Sequence, residues 1–154
     1  MKLSSFDALV SALKQADVRY LIAGGLAVNA HGYLRFTGDI DVVVRLVPDN
    51  IERAFAALAT IGYRPLDAWI REKGMQVLQF WSDAHRETPV DMFVQEPFDF
   101  EDEYRRSLVK PLGSTEVRFV TIPTLIRMKQ AANRPQDRID IEYLRKRLED
   151  RGRG

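Results

Sequence analysis

The chain has 154 residues, of which 45% are hydrophobic and 29% are charged, and its formal net charge is +1. This length and balance predict one globular domain with a buried core, and they argue against a protein that coats nucleic acid. There is no cysteine, which excludes disulfides and thiolate metal sites and is typical of the reducing cytosol.

The N-terminal segment does not resemble a signal peptide, because Asp7 and Lys14 interrupt its apolar pattern. The longest nearly apolar run, residues 20–30, is far shorter than the ~20 residues that a membrane helix needs. We therefore expect a soluble cytoplasmic protein that does not bind membranes.

Hydrophobic spacing predicts helices and strands that are mixed along the chain. The predicted helices are residues 4–16, 25–32, 48–63, 98–108, 122–133 and 136–149. The predicted strands are residues 19–25, 39–44, 75–81, 87–94 and 116–122. In the third helix, Asp49 or Asn50 is expected to cap the N-terminus and Gly62 to end the helix.

This order of elements predicts an α/β or α+β domain with a mixed sheet, followed by helices. We expect the core to span residues 1–121 and a C-terminal helical segment, residues 122–154, to pack on it. Residues 46–88 carry no functional motif.

Two aspartates stand at the start of the clearest predicted strand, in the sequence RFTGDIDVVV. Side chains alternate along a strand, so Asp39 and Asp41 share one face while Ile40 and Val42 point to the other. Two carboxylates ~7 Å apart repel each other unless a cation lies between them, and carboxylate oxygens suit Mg²⁺. The alternative is a pair of surface acids solvated by water or paired with Arg35.

A glycine pair, Gly24 and Gly25, lies between a predicted strand and a predicted helix. Glycines at this place let the backbone approach a phosphate, and the helix N-terminus offers free N–H groups. The alternative is a tight strand-to-helix turn with no ligand. His31, at the end of the same helix, is expected to contact phosphate or acceptor, or to form a helix-end hydrogen bond.

The combination of Gly24-Gly25 with RFTGDID resembles the nucleotidyltransferase superfamily that includes DNA polymerase β, and more closely the AbiEii-type toxins and related single-domain prokaryotic nucleotidyltransferases. The resemblance implies the nucleotidyltransferase fold, a mixed β-sheet with helices packed on it and C-terminal helices. It also implies that Gly24 and Gly25 hold phosphates of a nucleoside triphosphate, with Arg35 and Thr37 assisting.

The same resemblance implies a third acid from a later strand, and Asp91 in TPVDMFVQ is the candidate. A carboxylate within an apolar strand is costly to bury without a partner, and metal ions shared with Asp39 and Asp41 would supply one. The alternative is an acid at a strand edge in contact with water.

Near the C-terminus the family carries a helical lysine and then an Arg/Lys-Asp-x-x-Asp element. Lys129, Asp137 and Asp140 match this pattern, and Arg134 lies three residues before Asp137. Lys129 lies on the apolar stripe of its helix and is expected to contact an anion. The resemblance implies a contact with the nucleotide phosphates. The alternative is an internal ion pair between Lys129 or Arg134 and Asp137 or Asp140.

The function that the resemblance implies is Mg²⁺-dependent transfer of a nucleoside monophosphate from an NTP to a hydroxyl acceptor, which could be tRNA, protein or a small molecule. Asp39, Asp41 and Asp91 would hold two Mg²⁺ ions, or Mn²⁺, and Asp91 would orient or deprotonate the acceptor hydroxyl. A toxin–antitoxin system, with a cognate toxin or antitoxin as partner, is also implied.

Two other functions fit the sequence. The first is a non-catalytic nucleotide- or partner-binding module on the same fold. The second is an RNA-binding protein that uses the basic C-terminal helix, for which a solvated helix face is the alternative.

Overall fold

The computed structural model describes residues 1–72 and 75–153. These residues form one mixed sheet of seven strands, and six α-helices pack on it. The helices are α1 Leu3–Gln15, α2 Gly24–Ala30, α3 Pro48–Thr60, α4 Phe100–Arg106, α5 Ile122–Ala132 and α6 Pro135–Arg153. The strands are β1 Tyr20–Ala23, β2 Ile40–Val44, β3 Tyr63–Glu72, β4 Met75–Ser82, β5 Val90–Phe93, β6 Leu108–Leu112 and β7 Thr115–Phe119. The predicted α+β class with a mixed sheet is thus confirmed.

The strand order is β3-β4-β5-β2-β1-β7-β6, with parallel pairs β2–β5 and β1–β7 and antiparallel pairs elsewhere. Strand β2 lies at the centre, and all five of its residues are buried. Helix α1 packs on α3 and β7, while α5 packs on α2 and α6. The core therefore forms around β2, the strand that follows the aspartate motif.

Every predicted helix and strand is present, but the sequence did not predict β3 and β6. Both are the outermost strands of the sheet. Each contains a proline, Pro65 in β3 and Pro111 in β6, and an edge strand accommodates proline because one side of it has no ladder to join. The exposed surface of β6 also lacks the hydrophobic alternation from which strands are predicted.

The predicted cap of α3 is wrong. The residue before the helix is Val47, which forms no side-chain cap, and Pro48 takes the first position. Asn50 is instead buried and links two strands: its Oδ1 accepts from the Arg19 N–H (2.8 Å), and its Nδ2 donates to the carbonyls of Arg19 (3.0 Å) and Arg45 (2.9 Å). Proline has no N–H at the helix start that would need a cap. The Asn50 side chain can therefore form these tertiary hydrogen bonds.

Within the described ranges, no helix combines the length and the apolar content that a membrane crossing requires.

His31 closes the C-terminus of α2 and forms a helix-end hydrogen bond. Its Nε2 lies 2.8 Å from the Val120 carbonyl and must donate to it, since a carbonyl only accepts. Its buried Nδ1 has no hydrogen-bond partner among the described residues. Burial lowers the pKa of His31, the Val120 bond opposes this, and the positive charges of Arg151, Lys110 and Arg147 lower it further. The ring is therefore held neutral.

This arrangement predicts a loss of stability in mild acid. The pKa of His31 is lowered in the folded protein, so the unfolded chain takes up a proton first as the pH falls below about 6.5. The free energy of unfolding should be highest above this pH and decline as the pH falls below it. His31→Gln should flatten this part of the profile, as measured by urea unfolding at each pH. An unchanged profile in the variant would show that His31 is not the responsible group.

Candidate functional site

The register of the sheet brings the three predicted acids together. Strands β2 and β5 run parallel with Asp41 directly beside Asp91, and Asp39 lies one residue before β2. Neighbouring strands are ~4.8 Å apart, so side chains at paired positions on one face must meet. One carboxylate oxygen from each of Asp39, Asp41 and Asp91 lies within 4.8 Å of the others.

This cluster fits a divalent cation. Asp41 is 5% exposed and Asp91 is 1% exposed, while Asp39 is half-buried. Three negative charges at this separation repel one another, and a divalent cation held among them would offset that repulsion. Carboxylate oxygens are hard ligands and suit Mg²⁺ or Mn²⁺.

The glycine pair forms the first two residues of α2 and packs against the acid motif. Strands β1 and β2 are antiparallel with Ala23 opposite Asp41, so the residue after Ala23 lies against Asp41. A Cβ added at Gly24 would be 1.9 Å from Asp41 Oδ2, and one added at Gly25 would be 2.5 Å from Thr37 Oγ1. Gly24 also has φ +63°, in the left-handed region. Any side chain at Gly24 would therefore displace a carboxylate of the cluster.

The loop between α2 and β2 carries Arg35 and Thr37 and is held on two sides. Arg35 donates from Nε (2.8 Å) and Nη2 (2.6 Å) to the carboxylate of Asp140 on α6. Its backbone N–H donates to Asn29 Oδ1 (3.1 Å) on α2, and its Nη1 donates to the Phe36 carbonyl (2.8 Å). Thr37 is buried, with Oγ1 3.4 Å from the Asp39 carbonyl. Arg35 thus fastens the loop that leads into the aspartates.

Lys129 is buried on α5 and forms the internal ion pairs that the sequence left as an alternative. Its Nζ lies 3.1 Å from Asp137 and 2.7 Å from Asp140. Asp137 also accepts from Arg134, at 2.8 Å from Nε and 3.0 Å from the backbone N–H. Together with Arg35 these residues form one network, Arg35–Asp140–Lys129–Asp137–Arg134. Its three cations and two carboxylates leave a net positive charge beside the acids.

The network keeps both of its acids ionised. Burial raises the pKa of Asp140, but hydrogen bonds from Arg35, Lys129 and Gln136 outweigh burial and leave that pKa below its usual value. Burial also raises the pKa of Asp137, but hydrogen bonds from Arg134 outweigh burial and leave that pKa below its usual value.

Arg134 is influenced by the acidic cluster of Asp39 and Asp41 as well as by its partner Asp137. The hydrogen bond to Asp137 raises the pKa of Arg134, burial opposes this, and the negative charges of Asp41 and Asp39 add to the increase. The guanidinium is therefore within the field of the acidic cluster and would meet an anion that binds there.

These groups line a cleft of about 520 Å³. Its walls come from Gly25, the Arg35 loop, Asp39 and Asp41, Lys129 and the start of α6, whereas Asp91 is not among the lining residues: Gly25, Arg35, Phe36, Thr37, Gly38, Asp39, Asp41, Lys129, Arg134, Pro135 and Gln136. The volume is within the ~300–1,000 Å³ of small-molecule sites. Every residue predicted for nucleotide binding lines this cleft except Gly24, which lies behind it against Asp41.

The sequence did not predict Phe36 or Gln136 as cleft residues, and it assigned Arg134 no role in the cleft. Phe36 lies between two residues that were predicted to bind nucleotide, Arg35 and Thr37. An aromatic residue in this polar loop was the sequence signal that could have identified it. Arg134 and Gln136 reach the cleft because Asn133 adopts a left-handed conformation, φ 51°, that turns the chain between α5 and α6. The sequence predicted a break between the two helices at residues 134–135, but it did not predict which side chains the turn brings to the cleft.

The fold is shared with several solved structures of low sequence identity. The lincosamide antibiotic adenylyltransferase LnuA, lincomycin-bound, superimposes with a TM-score of 0.67 at 13% identity, covering 92% of this chain and 95% of that one. ANT(2")-Ia in complex with adenylyl-2"-tobramycin gives 0.63 at 14% identity over 92% and 86%. The chain has the nucleotidyltransferase fold. An antigenic nucleotidyltransferase-like protein from Paracoccidioides brasiliensis shares this fold, with a TM-score of 0.58 at 17% identity over 92% and 74%.

No model of a protein family matches the sequence, and no curated protein matches it significantly. The nucleotidyltransferase fold is therefore established by shape, while the residue roles rest on the geometry of this cleft.

The contact between Gly24 and Asp41 predicts a specific effect of Gly24→Ala. The variant should be destabilised by more than the ~1–2 kcal/mol that a left-handed alanine costs, because its Cβ must also displace Asp41. It should also weaken Mn²⁺ binding, measured by calorimetry. Gly113→Ala is the matched control, since Gly113 has φ +61° and nothing within 4 Å of an added Cβ. Equal effects of the two variants would contradict the proposed contact.

The buried network predicts a large cost for removing its central cation. Lys129→Met would leave Asp137 with Arg134 alone and Asp140 with Arg35 alone, and removal of one partner from a buried ion pair costs up to ~3–5 kcal/mol. Urea unfolding should show a loss of this size, whereas Lys146→Met, an exposed lysine on α6, should change stability by less than ~0.5 kcal/mol. A small loss for both variants would mean that the network contributes little.

Proposed function

We propose that this protein transfers a nucleoside monophosphate from an NTP to a hydroxyl group, in a reaction that depends on Mg²⁺. The observation that carries the proposal is the convergence of Asp39, Asp41 and Asp91 within 4.8 Å at the side of a 520 Å³ cleft with a positive wall. Such a site can bind both a divalent cation and the phosphates that the cation accompanies.

The three acids have distinct proposed roles. Asp39 and Asp41 would hold the divalent cation against the phosphates, and Asp91 would complete the ligand set. When bound, Mg²⁺ supplies charge neutralisation for the phosphoryl oxygens. Asp91 lies on β5, on the side of β2 opposite to β1 and the glycines. We therefore place the acceptor hydroxyl beside Asp91, which would orient it and receive its proton.

The bond changes are simple. The acceptor oxygen forms a bond to the α-phosphorus, the bond from that phosphorus to the β-phosphate oxygen breaks, and pyrophosphate leaves with the electron pair. The chain supplies mainly position and charge, which account for most of the rate increase in such reactions.

The phosphates would lie along the positive wall of the cleft. The missing side chain of Gly25 makes room for Thr37, and the Gly25 backbone lines the cleft, where it would meet an anion. Arg134, already in the field of the acids, would contact the β- and γ-phosphates, while Arg35, with Thr37 beside it, would contact the α-phosphate where it joins the nucleoside. Lys129 would act mainly by maintaining the net positive charge of the network and would offer its third N–H to phosphate.

A small hydroxyl compound is the acceptor class that the cleft supports best. The cleft volume is in the range of small-molecule sites. Two structures of the same fold contain lincomycin and an adenylylated tobramycin. tRNA and protein hydroxyls are the other classes to be compared. Incubation with each α-labelled NTP and a fractionated lysate distinguishes them, because label then appears in small molecules, RNA or protein.

Two finer assignments rest on motif spacing alone and stay predictions. They are kinship with the AbiEii-type toxins and a place in a toxin–antitoxin system. The alternative function is a non-catalytic binding module, and one observation favours it: Lys129 is already engaged by two carboxylates. Such a module would bind nucleotide or a partner without releasing pyrophosphate.

Conversion of any cluster acid to its amide tests the proposed catalytic function. Asp39→Asn, Asp41→Asn and Asp91→Asn should each lower label transfer by at least about 10²–10³-fold, because charge that stabilises the transition state is lost. Each variant should stay folded, which its cooperative thermal unfolding in metal-free buffer checks.

A second readout is independent of turnover. Mn²⁺ should raise the thermal midpoint of the wild type but not of these variants, since a ligand stabilises only the state that binds it. Asp49→Asn, an exposed acid at the start of α3, is the matched control and should behave as wild type. Full label transfer by any of the three variants would contradict the proposed role of that aspartate. Mn²⁺ binding without pyrophosphate release in the wild type would identify a binding module.

A further inference from the structure

We propose that Phe36 is the platform on which the base of the bound nucleotide stacks, an assignment that rests on the proposed nucleotidyl transfer. Phe36 lies between Arg35 and Thr37, and its side chain is 80% exposed although it lines the cleft. Single exposed apolar residues are common on protein surfaces. What distinguishes Phe36 is its position inside a polar cleft and the way its backbone is held.

The backbone on both sides of Phe36 is anchored. Before it, the Arg35 N–H donates to Asn29 Oδ1 (3.1 Å), and after it, the Phe36 carbonyl accepts from Arg35 Nη1 (2.8 Å). Arg35 is in turn fixed by two hydrogen bonds to the fully buried Asp140. The ring is therefore presented on a rigid support, and a ligand that stacks on it need not order the loop first.

The ring also lies near Gly38, the residue that precedes Asp39. A Cβ added at Gly38 would be 3.9 Å from Phe36 Cε1, which is an ordinary van der Waals distance. A nucleotide whose α-phosphate is held at Asp39 and Asp41 extends its nucleoside along this wall. The wall offers one large apolar surface, the Phe36 ring, between charged and polar neighbours.

An aromatic face recognises what all bases share. Each base has a π-face, and its stacking on an aromatic side chain is tolerant of sequence. Phe36 would therefore distinguish a nucleotide from inorganic polyphosphate without selecting strongly among the four bases. The phosphates would be recognised separately by the positive network.

Leu34 offers a matched control. It is 82% exposed, lies in the same loop two residues earlier, and does not line the cleft. Replacing either residue with alanine removes a similarly exposed apolar side chain, so an effect on general surface properties should be the same for both.

The experiment is calorimetry in the presence of Mg²⁺, with ATP, GTP, CTP, UTP and inorganic tripolyphosphate as separate ligands. Phe36→Ala should weaken binding of every NTP by about 5- to 100-fold, the loss typical of one stacked base, and leave tripolyphosphate binding unchanged. Phe36→Tyr should retain wild-type affinity, and Leu34→Ala should bind all five ligands as wild type does.

The outcomes separate the two proposals. Equal NTP affinity of the wild type and Phe36→Ala would overturn the platform and leave nucleotidyl transfer standing. Parallel loss of NTP and tripolyphosphate binding would also overturn it, because Phe36 would then only support the loop. Failure of the wild type to bind any NTP would overturn both the platform and the proposed function.

Discussion

Asp41 and Asp91 are direct neighbours on parallel strands at the centre of the sheet, and their like charges repel. The surrounding structure accommodates this repulsion. The central strand is buried throughout, which fixes the position of Asp41. Gly24 leaves room for the Asp41 carboxylate, and the network from Arg35 to Arg134 provides a compensating positive charge in the same cleft. A cation bound among the acids would offset their repulsion, and these features are therefore consistent with a cation-binding site.

Much of this could be predicted from the sequence because it is local. Period-two alternation placed Asp39 and Asp41 on one face, and the glycine pair indicated a close backbone approach. The partnership of Asp41 with Asp91 depends on which strands pair and in what register, so no local pattern contains it. The resemblance to nucleotidyltransferases supplied that third acid, and the structure brings it into the cluster. The division at residue 121 stays a prediction.

The features that the sequence did not predict have physical reasons. Strands β3 and β6 lie at the sheet edges, where proline and polar residues are tolerated. Asn50 looked like a helix cap but joins the backbones of Arg19 and Arg45, because tertiary hydrogen bonds replaced the local one. The ion pairs of Lys129 had been an open alternative, since a stripe position shows that a lysine is buried without showing which anion it meets.

The bond between Arg35 and Asp140 joins residues 105 positions apart. A ribosome adds ~5–20 residues per second, so the second partner is made roughly 5–20 s after the first. During that interval a nascent chain can pair its central strands and gather its acids, yet its Arg35 loop lacks the Asp140 anchor and keeps the local contact with Asn29. The cleft wall is completed only when the last helix docks, which makes competence of the site a late event in the synthesis of the protein.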